Sequence, residues 1–399
     1  MSLLTEIADE VGTPLYVYDA DIFRDRIATL RGALAGVAHR IHYAAKANDA
    51  LALLRIAGDE GLGADIVSGG ELHRCLAAGI PADRILFSGV GKQPLEIRAA
   101  IEAGVHSLNV ESLGELEATA REARAASRVA PVSVRLNPDV EVDTHEKIAT
   151  GSATTKFGLT FDDALVALTR AAADTWLEPL GISFHLGSQL FDLAPLAKAG
   201  ERAAELWAAA SDRGIRLREL DVGGGLGVAY ETGEEVDVEA YAAVATKAAA
   251  RVDATLLLEP GRWLVGPAGA FLTRVLYVKD AADRRIAICD GGMNDLIRPT
   301  LYDAYHPIAV LGADERPIGA VDVVGPVCET GDFFARGREL PLPEPGDLLA
   351  IGYAGAYGRV MGSAYNARPP CAEVLVEQGE WRVIREAGTL DDLVRGELL

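Results

Sequence analysis

The chain has 399 residues, of which 49% are hydrophobic and 24% charged, and its formal net charge is −21. That is material for a large core and roughly two or three domains. The acidic balance argues against a nucleic-acid surface or a polybasic membrane patch. The start, MSLLTEIADEVGTPLYVYD, lacks a basic segment followed by an apolar run, and no run of about 18 apolar residues occurs, so neither a secretory signal nor a transmembrane helix is expected. Cys75, Cys289, Cys328 and Cys371 are far apart and form no CxxC pair. Buried free thiols are the ordinary reading, which points to a reducing, cytoplasmic setting and to no metal.

The run PLYVYD (14–19) reads as a first strand. From about residue 40 to 261, eight short apolar runs alternate with helical segments: IHYAAKAN (41–48), GADIVS (63–68), ILFSGV (85–90), SLNVES (107–112), VSVRLNP (132–138), ISFHLG (182–187), LRELDVGGG (217–225) and ATLLLEPG (254–261). Strands alternating with helices make parallel βαβ units, and eight units predict a closed (β/α)8 TIM-like barrel. An open doubly wound sheet would carry a dinucleotide fingerprint after an early strand, and none is present. After Pro267 the runs AFLTRVLYVKD, RRIAICDGG, AVDVVGPVCE, DLLAIGYAGAYG, AEVLVEQ and EWRVIREA read as strands of a mainly β domain, with which PLYVYD could pair. The expected fold is therefore α/β, with a barrel over residues 25–265 and a β-rich domain from residues 1–24 and 266–399.

A barrel of this kind works at the C-terminal ends of its strands. Those ends carry Lys46, Asp65, Ser88, Glu111, Asn137, His185, Gly223 to Gly225 and Glu259. Lys46 sits between Ala44, Ala45 and Ala47 and is either a surface lysine or a desolvated nucleophile suited to a Schiff base. The glycine triplet is either a turn or a phosphate cradle after strand seven. Glu259 either pairs with Arg262 or holds a protonated ring nitrogen; His185 is either structural or lies beneath a flat cofactor. Together, an amine, a phosphate cradle, a ring-nitrogen acid and a stacking residue are what pyridoxal phosphate requires.

These motifs carry a resemblance. YAAKAN, GADIVSGGEL, NVES, RLNPDV, THEKIATG, KFGL, FHLGSQ, DVGGGLG, EPGR, GGMNDLIRP, GPVCETGD and GAYG occur in the order found in the fold-type III, alanine-racemase-like pyridoxal phosphate decarboxylases, and the chain resembles that family from YVYD to RPPCAEVLV. Within it the motifs are most similar to the branch that acts on diaminopimelate. The resemblance implies decarboxylation of meso-2,6-diaminopimelate to L-lysine and carbon dioxide. It also implies a homodimer with shared active sites.

By the same resemblance Lys46 is the cofactor lysine and His185 the ring-stacking residue. Ser188, Gly223, Gly224, Gly225, Gly261 and Arg262 are cofactor-binding positions, and Glu259 partners the ring nitrogen. Arg262, Arg298, Tyr302 and Glu329 match substrate-binding positions, and Tyr357 contacts both cofactor and substrate. Cys328 matches a proton donor supplied, with Glu329, across the dimer interface. Arg298 suits a distal carboxylate and Glu329 a distal ammonium, which favours diaminopimelate over ornithine. Decarboxylases of ornithine, lysine, carboxynorspermidine or a carrier-bound amino acid, a racemase, and a non-catalytic regulatory protein are the rival readings. Two departures stand out: Lys147 in THEKIATG where the family pattern expects an aromatic, and the stretch Arg359–Met361, which suggests no role.

Overall fold

The computed structural model describes residues 2–140, 156–232, 234–281 and 284–398; Lys147 and the THEKIATG motif lie outside the described residues. The chain divides into two compact units. One comprises Met1–Asp25, Ala229–Glu234 and Leu264–Leu399, the other Arg26–Val228 and Glu235–Trp263.

The first strand, β1 (Leu15–Asp19), belongs to the β unit. The second unit is a closed barrel of eight parallel strands in sequential order: β2 (His39–Ala44), β3 (Gly63–Ile66), β4 (Ile85–Phe87), β5 (Ser107–Val110), β6 (Ala130–Arg135), β7 (Leu177–Ser183), β8 (Glu219–Asp221) and β9 (Thr255–Leu258). Between them run amphipathic helices with sequence-encoded starts. Ser68, Ser112, Thr160 and Asp237 each accept a backbone N–H from the first turn of the helix that follows, satisfying donors that a helix start leaves without partners. Buried Leu, Ile and Ala side chains of these helices pack on strands whose residues are almost all buried, as a sheet covered on its outer face requires.

The eight expected runs and the eight barrel strands coincide except at β7. That strand starts at Leu177, earlier than the apolar run suggests, and ends at Ser183, so the Phe184–Leu186 stretch is already loop. Glu178 and Pro179 hid its first half, because a proline removes a ladder donor; the β6–β7 register shifts at that place.

The β unit is a nine-stranded mixed sheet. It adds β10 (Gly269–Ala281), β11 (Arg284–Cys289), β12 (Ile308–Val310), β13 (Ile318–Val324), β14 (Phe333–Pro341), β15 (Leu348–Ile351), β16 (Ala372–Glu377) and β17 (Glu380–Arg385). As expected, the N-terminal strand joins it: β1 lies between antiparallel β10 and parallel β16. Leu15, Val17, Leu272, Val374 and Val376 form its core with Ile7 of the helix Leu3–Val11. In DLLAIGYAGAYG only Leu348–Ile351 is strand, and the glycine-rich remainder is turn. Strand β14 was hidden by the polar stretch within FFARGREL. The Arg359–Met361 stretch is one 3-10 turn, with Arg359 Nε 3.8 Å from Glu373 Oε1. Among the described residues no helix is long and apolar enough to cross a membrane.

Candidate active site

At the barrel's C-terminal mouth Lys46 stands on the 3-10 turn Ala45–Ala47 just beyond β2. Its alanine neighbours are fully buried and hold the stem. Its side chain is a third exposed, and Nζ donates to Asp65 Oδ2 at 3.0 Å. Beside the alanines, then, a buried carboxylate meets the amine as a counter-charge. Gly261 brings the β9 exit against this turn, since a Cβ there would sit 2.9 Å from Ala47 Cβ.

The glycine triplet is required by its surroundings. Gly223 (φ +70°) and Gly225 (φ +96°) adopt the left-handed backbone, which L side chains rarely enter. A Cβ on Gly223 would strike the His185 ring, one on Gly224 the Glu259 carbonyl, and one on Gly225 would lie 2.7 Å from Leu190 Cδ1. Tyr241 is fully buried and donates its hydroxyl to the Gly224 carbonyl at 3.1 Å, buttressing the loop from below. Such a glycine bend can bring main-chain N–H groups close to an anion.

His185, half-buried, follows β7. Gly224 N–H donates to its Nδ1 at 3.2 Å, which leaves the proton of a neutral ring on Nε2. Burial, then the charges of Lys46 and Arg135, hold its pKa well below the usual histidine range. The imidazole is therefore uncharged at neutral pH. Ser188, beyond it in the same loop, accepts from Arg262 Nε at 3.2 Å. Arg262 is thus turned to Ser188 as well as being near in sequence to Glu259.

Glu259 follows β9 and is buried, with only 8% of its surface exposed. Ser88 donates to its Oε1 at 3.4 Å, and Asn109 Nδ2 donates to Ser88 at 3.0 Å. Burial, with the charges of Asp221 and Asp65, pushes the Glu259 carboxyl well above its ordinary range. A carboxyl kept partly protonated in the barrel interior suits a ring nitrogen that shares a proton. Asp65 Oδ1 is also buried with no hydrogen-bond partner. The glycine bend, the amine, the flat imidazole and this carboxyl fit pyridoxal phosphate.

Sequence reasoning missed three contributors. Arg135, at the end of β6, pairs with Glu111 at 2.9 Å and lies over the Phe157 ring. Lys92 is wholly buried and donates to Glu115, to Gly89 O and to Asn109 O. Asp221, at the end of β8, accepts from Gly223 N at 2.8 Å. The last had a visible signal, since it immediately precedes the triplet in DVGGG; the other two do not stand out locally.

The β unit holds the remaining candidates. Arg298, 6% exposed, begins the short helix Arg298–Tyr302 and lies over the Tyr230 ring at 4.7 Å. Its Nη1 donates to His306 Nε2 at 2.9 Å. Tyr302, half-buried, ends the same helix. Asp332 accepts from Met293 N and Val327 N, both at 2.6 Å, and so ties the GGMND and PVCET loops together. The Cys328 and Glu329 side chains are exposed there, and the Cys328 backbone donates to Asn366 Oδ1 at 2.7 Å. Tyr357 is half-buried at φ +55°. Burial pushes the Cys75 thiol up to about 12 and those of Cys289 and Cys371 higher. These three are inert core thiols.

Residues 20–266 match the family model described as pyridoxal-dependent decarboxylase, pyridoxal binding domain. The chain is 45% identical over 399 residues to the diaminopimelate decarboxylase of Zymomonas mobilis, covering 99% of this chain and 94% of that one. It is 45% identical over 392 residues to that of Neisseria meningitidis serogroup B, covering 98% and 94%. The crystal structure of the Helicobacter pylori diaminopimelate decarboxylase complexed with L-lysine is 41% identical, with a TM-score of 0.95 over 98% of both chains. This chain therefore belongs to the pyridoxal-dependent decarboxylases, and its barrel is the family's pyridoxal-binding domain.

Proposed function

We propose that this chain decarboxylates meso-2,6-diaminopimelate to L-lysine with pyridoxal phosphate as cofactor. The observation that carries the reading is the barrel mouth itself: Lys46, the Gly223–Gly225 bend, neutral His185 and buried Glu259 all stand at the C-terminal ends of the barrel strands in a chain 45% identical to a diaminopimelate decarboxylase over nearly its whole length. The cofactor, when bound, supplies the carbonyl that captures an amine and the ring that takes up the electrons released with carbon dioxide.

Lys46 Nζ is the amine that anchors the cofactor, and Asp65 holds that amine in place. The N–H groups of the glycine bend and Gly261, with Ser188 and Arg262, bind the phosphate. His185 would stack against the ring, and Glu259 would hold a proton at the ring nitrogen, which would make the ring a better electron sink. Arg298 binds the distal carboxylate, and His306 fixes the direction in which its guanidinium points. Glu329 pairs with the distal ammonium, and Arg262, Tyr302 and Tyr357 complete substrate contacts. Cys328 Sγ gives its proton to the carbon that has lost its carboxylate. In this proposal the protein is a homodimer in which Cys328 and Glu329 serve the partner's barrel. Its domains are the barrel and the β-rich remainder, and it works in the cytoplasm, which its four free cysteines support.

The test is carbon dioxide release from a panel of amino acids with added pyridoxal phosphate. Diaminopimelate should be turned over far faster than ornithine, lysine or carboxynorspermidine. Preference for a substrate without a distal carboxylate would overturn the assignment.

A further inference from the structure

The loops that follow β7 and β8 are tied together by a side chain that the reading above leaves without a task. Gln189 Nε2 donates to the Val228 carbonyl at 2.7 Å, and its Oε1 accepts from Val228 N at 2.8 Å. A primary amide presents a donor and an acceptor side by side, as a peptide group does. Gln189 therefore takes the place of a neighbouring strand for Val228. One residue on, Leu190 N donates to the Gly225 carbonyl at 2.8 Å, and Leu190 pairs with Leu226 as a parallel bridge. The glycines of the second loop admit this approach. A Cβ on Gly225 would lie 2.8 Å from the Gly187 carbonyl oxygen, and one on Gly227 would lie 2.8 Å from the Phe191 ring. Gln189 itself stands at φ +66°, a left-handed backbone that a residue with a side chain adopts when its surroundings impose it.

We propose that Gln189 is a positioning residue for the cofactor's phosphate: its amide fastens the loop that carries His185 and Ser188 to the loop that carries the Gly223–Gly225 bend. The inference rests on the reading that Ser188 and the bend receive that phosphate. Each loop brings a different kind of group. The bend offers main-chain N–H groups, whereas Ser188 brings a hydroxyl and, through its contact with Arg262 Nε at 3.2 Å, a guanidinium. A phosphate held by both loops needs them at one fixed separation. Three contacts set that separation before the phosphate arrives: Gln189 with Val228, Leu190 N with the Gly225 carbonyl, and Gly224 N with His185 Nδ1. Donors already in place spare the ligand the ordering of two loops, a cost that would otherwise be subtracted from affinity. The Gln189 pair can be altered without touching a group that meets the cofactor, which makes it the contact to test.

The experiment measures equilibrium binding of pyridoxal phosphate, and of pyridoxal, which lacks the phosphate, to the full chain as wild type, Gln189→Met and Gln189→Gly. Methionine fills a similar space without an amide. Glycine also lacks the amide but is at ease at positive φ. Wild type should bind pyridoxal phosphate far more tightly than pyridoxal. Both variants should bind pyridoxal phosphate about tenfold more weakly, the scale of two lost hydrogen bonds, and pyridoxal as wild type does, so that the preference for the phosphate shrinks. A general loosening of the fold would lower both affinities together and leave the preference intact. That result overturns the proposal, as does wild-type affinity for pyridoxal phosphate in both variants. A loss in Gln189→Met that Gln189→Gly does not share would trace the effect to the backbone conformation and overturn it too. If one variant fails to fold, the other carries the comparison between the two compounds. The underlying reading fails separately: a wild-type chain that binds both compounds equally does not use the bend for phosphate, and Gln189 then has no phosphate to position.

Discussion

Arg298 donates Nη1 to His306 Nε2 at 2.9 Å, and His306 donates Nδ1–H to the Gly352 carbonyl at 2.9 Å. The second bond fixes the tautomer, so the first has a lone pair to accept it. A hydrogen bond to a charged group contributes about 1.5–3 kcal/mol. His306→Ala should therefore raise KM for diaminopimelate roughly tenfold or more, with a smaller change in kcat. His306→Gln, which keeps an acceptor, should recover part of the loss. Steady-state kinetics on both variants, beside a substrate with only a distal amine that should be indifferent to the change, would settle it.

Lys46 Nζ, at the barrel mouth, is tied to the buried carboxylate of Asp65. Lys46→Ala should bind pyridoxal phosphate without the visible band that survives dialysis in wild type. Persistence of that band in the variant would mean another amine is the anchor.

The glycine bend makes a structural demand as well as a chemical one. Gly225 stands at φ +96°, and a Cβ would press on Leu190. Gly225→Ala should lower stability by about 1–3 kcal/mol and weaken cofactor binding more than substrate binding. Thermal melts with and without pyridoxal phosphate read both effects: the variant should gain less from the cofactor than wild type does.

A shared site makes the two halves separable. Lys46→Ala and Cys328→Ala subunits should each be inactive alone, and mixing them with exchange should restore up to about a quarter of wild-type activity, since half the dimers carry one intact site of two. No recovery, with exchange verified by mass, would place Cys328 in the same subunit's site or outside catalysis.

At the barrel's N-terminal face, His42 is fully buried, and its Nδ1 donates to Arg84 O at 3.1 Å. Burial, aided by His106, pushes its pKa down to about 4 from an unfolded value near 6.5. Between those pH values the unfolded chain binds the extra proton, so stability falls as pH drops from 6.5 toward 4 and is unaffected above 6.5. The loss at pH 5 amounts to about 2 kcal/mol. Denaturant midpoints at pH 5 and 7 should differ less for His42→Gln than for wild type; an equal difference would assign the acid sensitivity elsewhere.

Much of the site was legible because chemistry in a barrel collects at strand exits. Lys46, His185, Gly223–Gly225 and Glu259 each follow an apolar run, so their positions could be read without knowing the register. Contacts between exits could not. Ser88 looks like an ordinary residue before a turn, and only closure of the barrel brings it to Glu259. Tyr241 is a lone aromatic in an alanine-rich helix, and its aim at the Gly224 carbonyl is a matter of helix rotation. Alternation carried β10, β11 and β16, whereas the polar stretch of β14 and the proline in β7 masked strands that tertiary pairing supplies.

Strand β1 occupies an interior position of its sheet, between β10 and β16, although more than three hundred residues separate Leu15 from its partner Ala372. A ribosome delivers β1 long before β10 and β16, so this strand must wait for both partners, and one edge stays open until β16 is made. Within the barrel only β2 waits comparably, for β9 to close the ring; the other strands pair with their immediate neighbours. A message truncated before residue 372 would thus leave β1 with an unpaired edge, and quality control in the cell would have a ready mark by which to recognise the unfinished product.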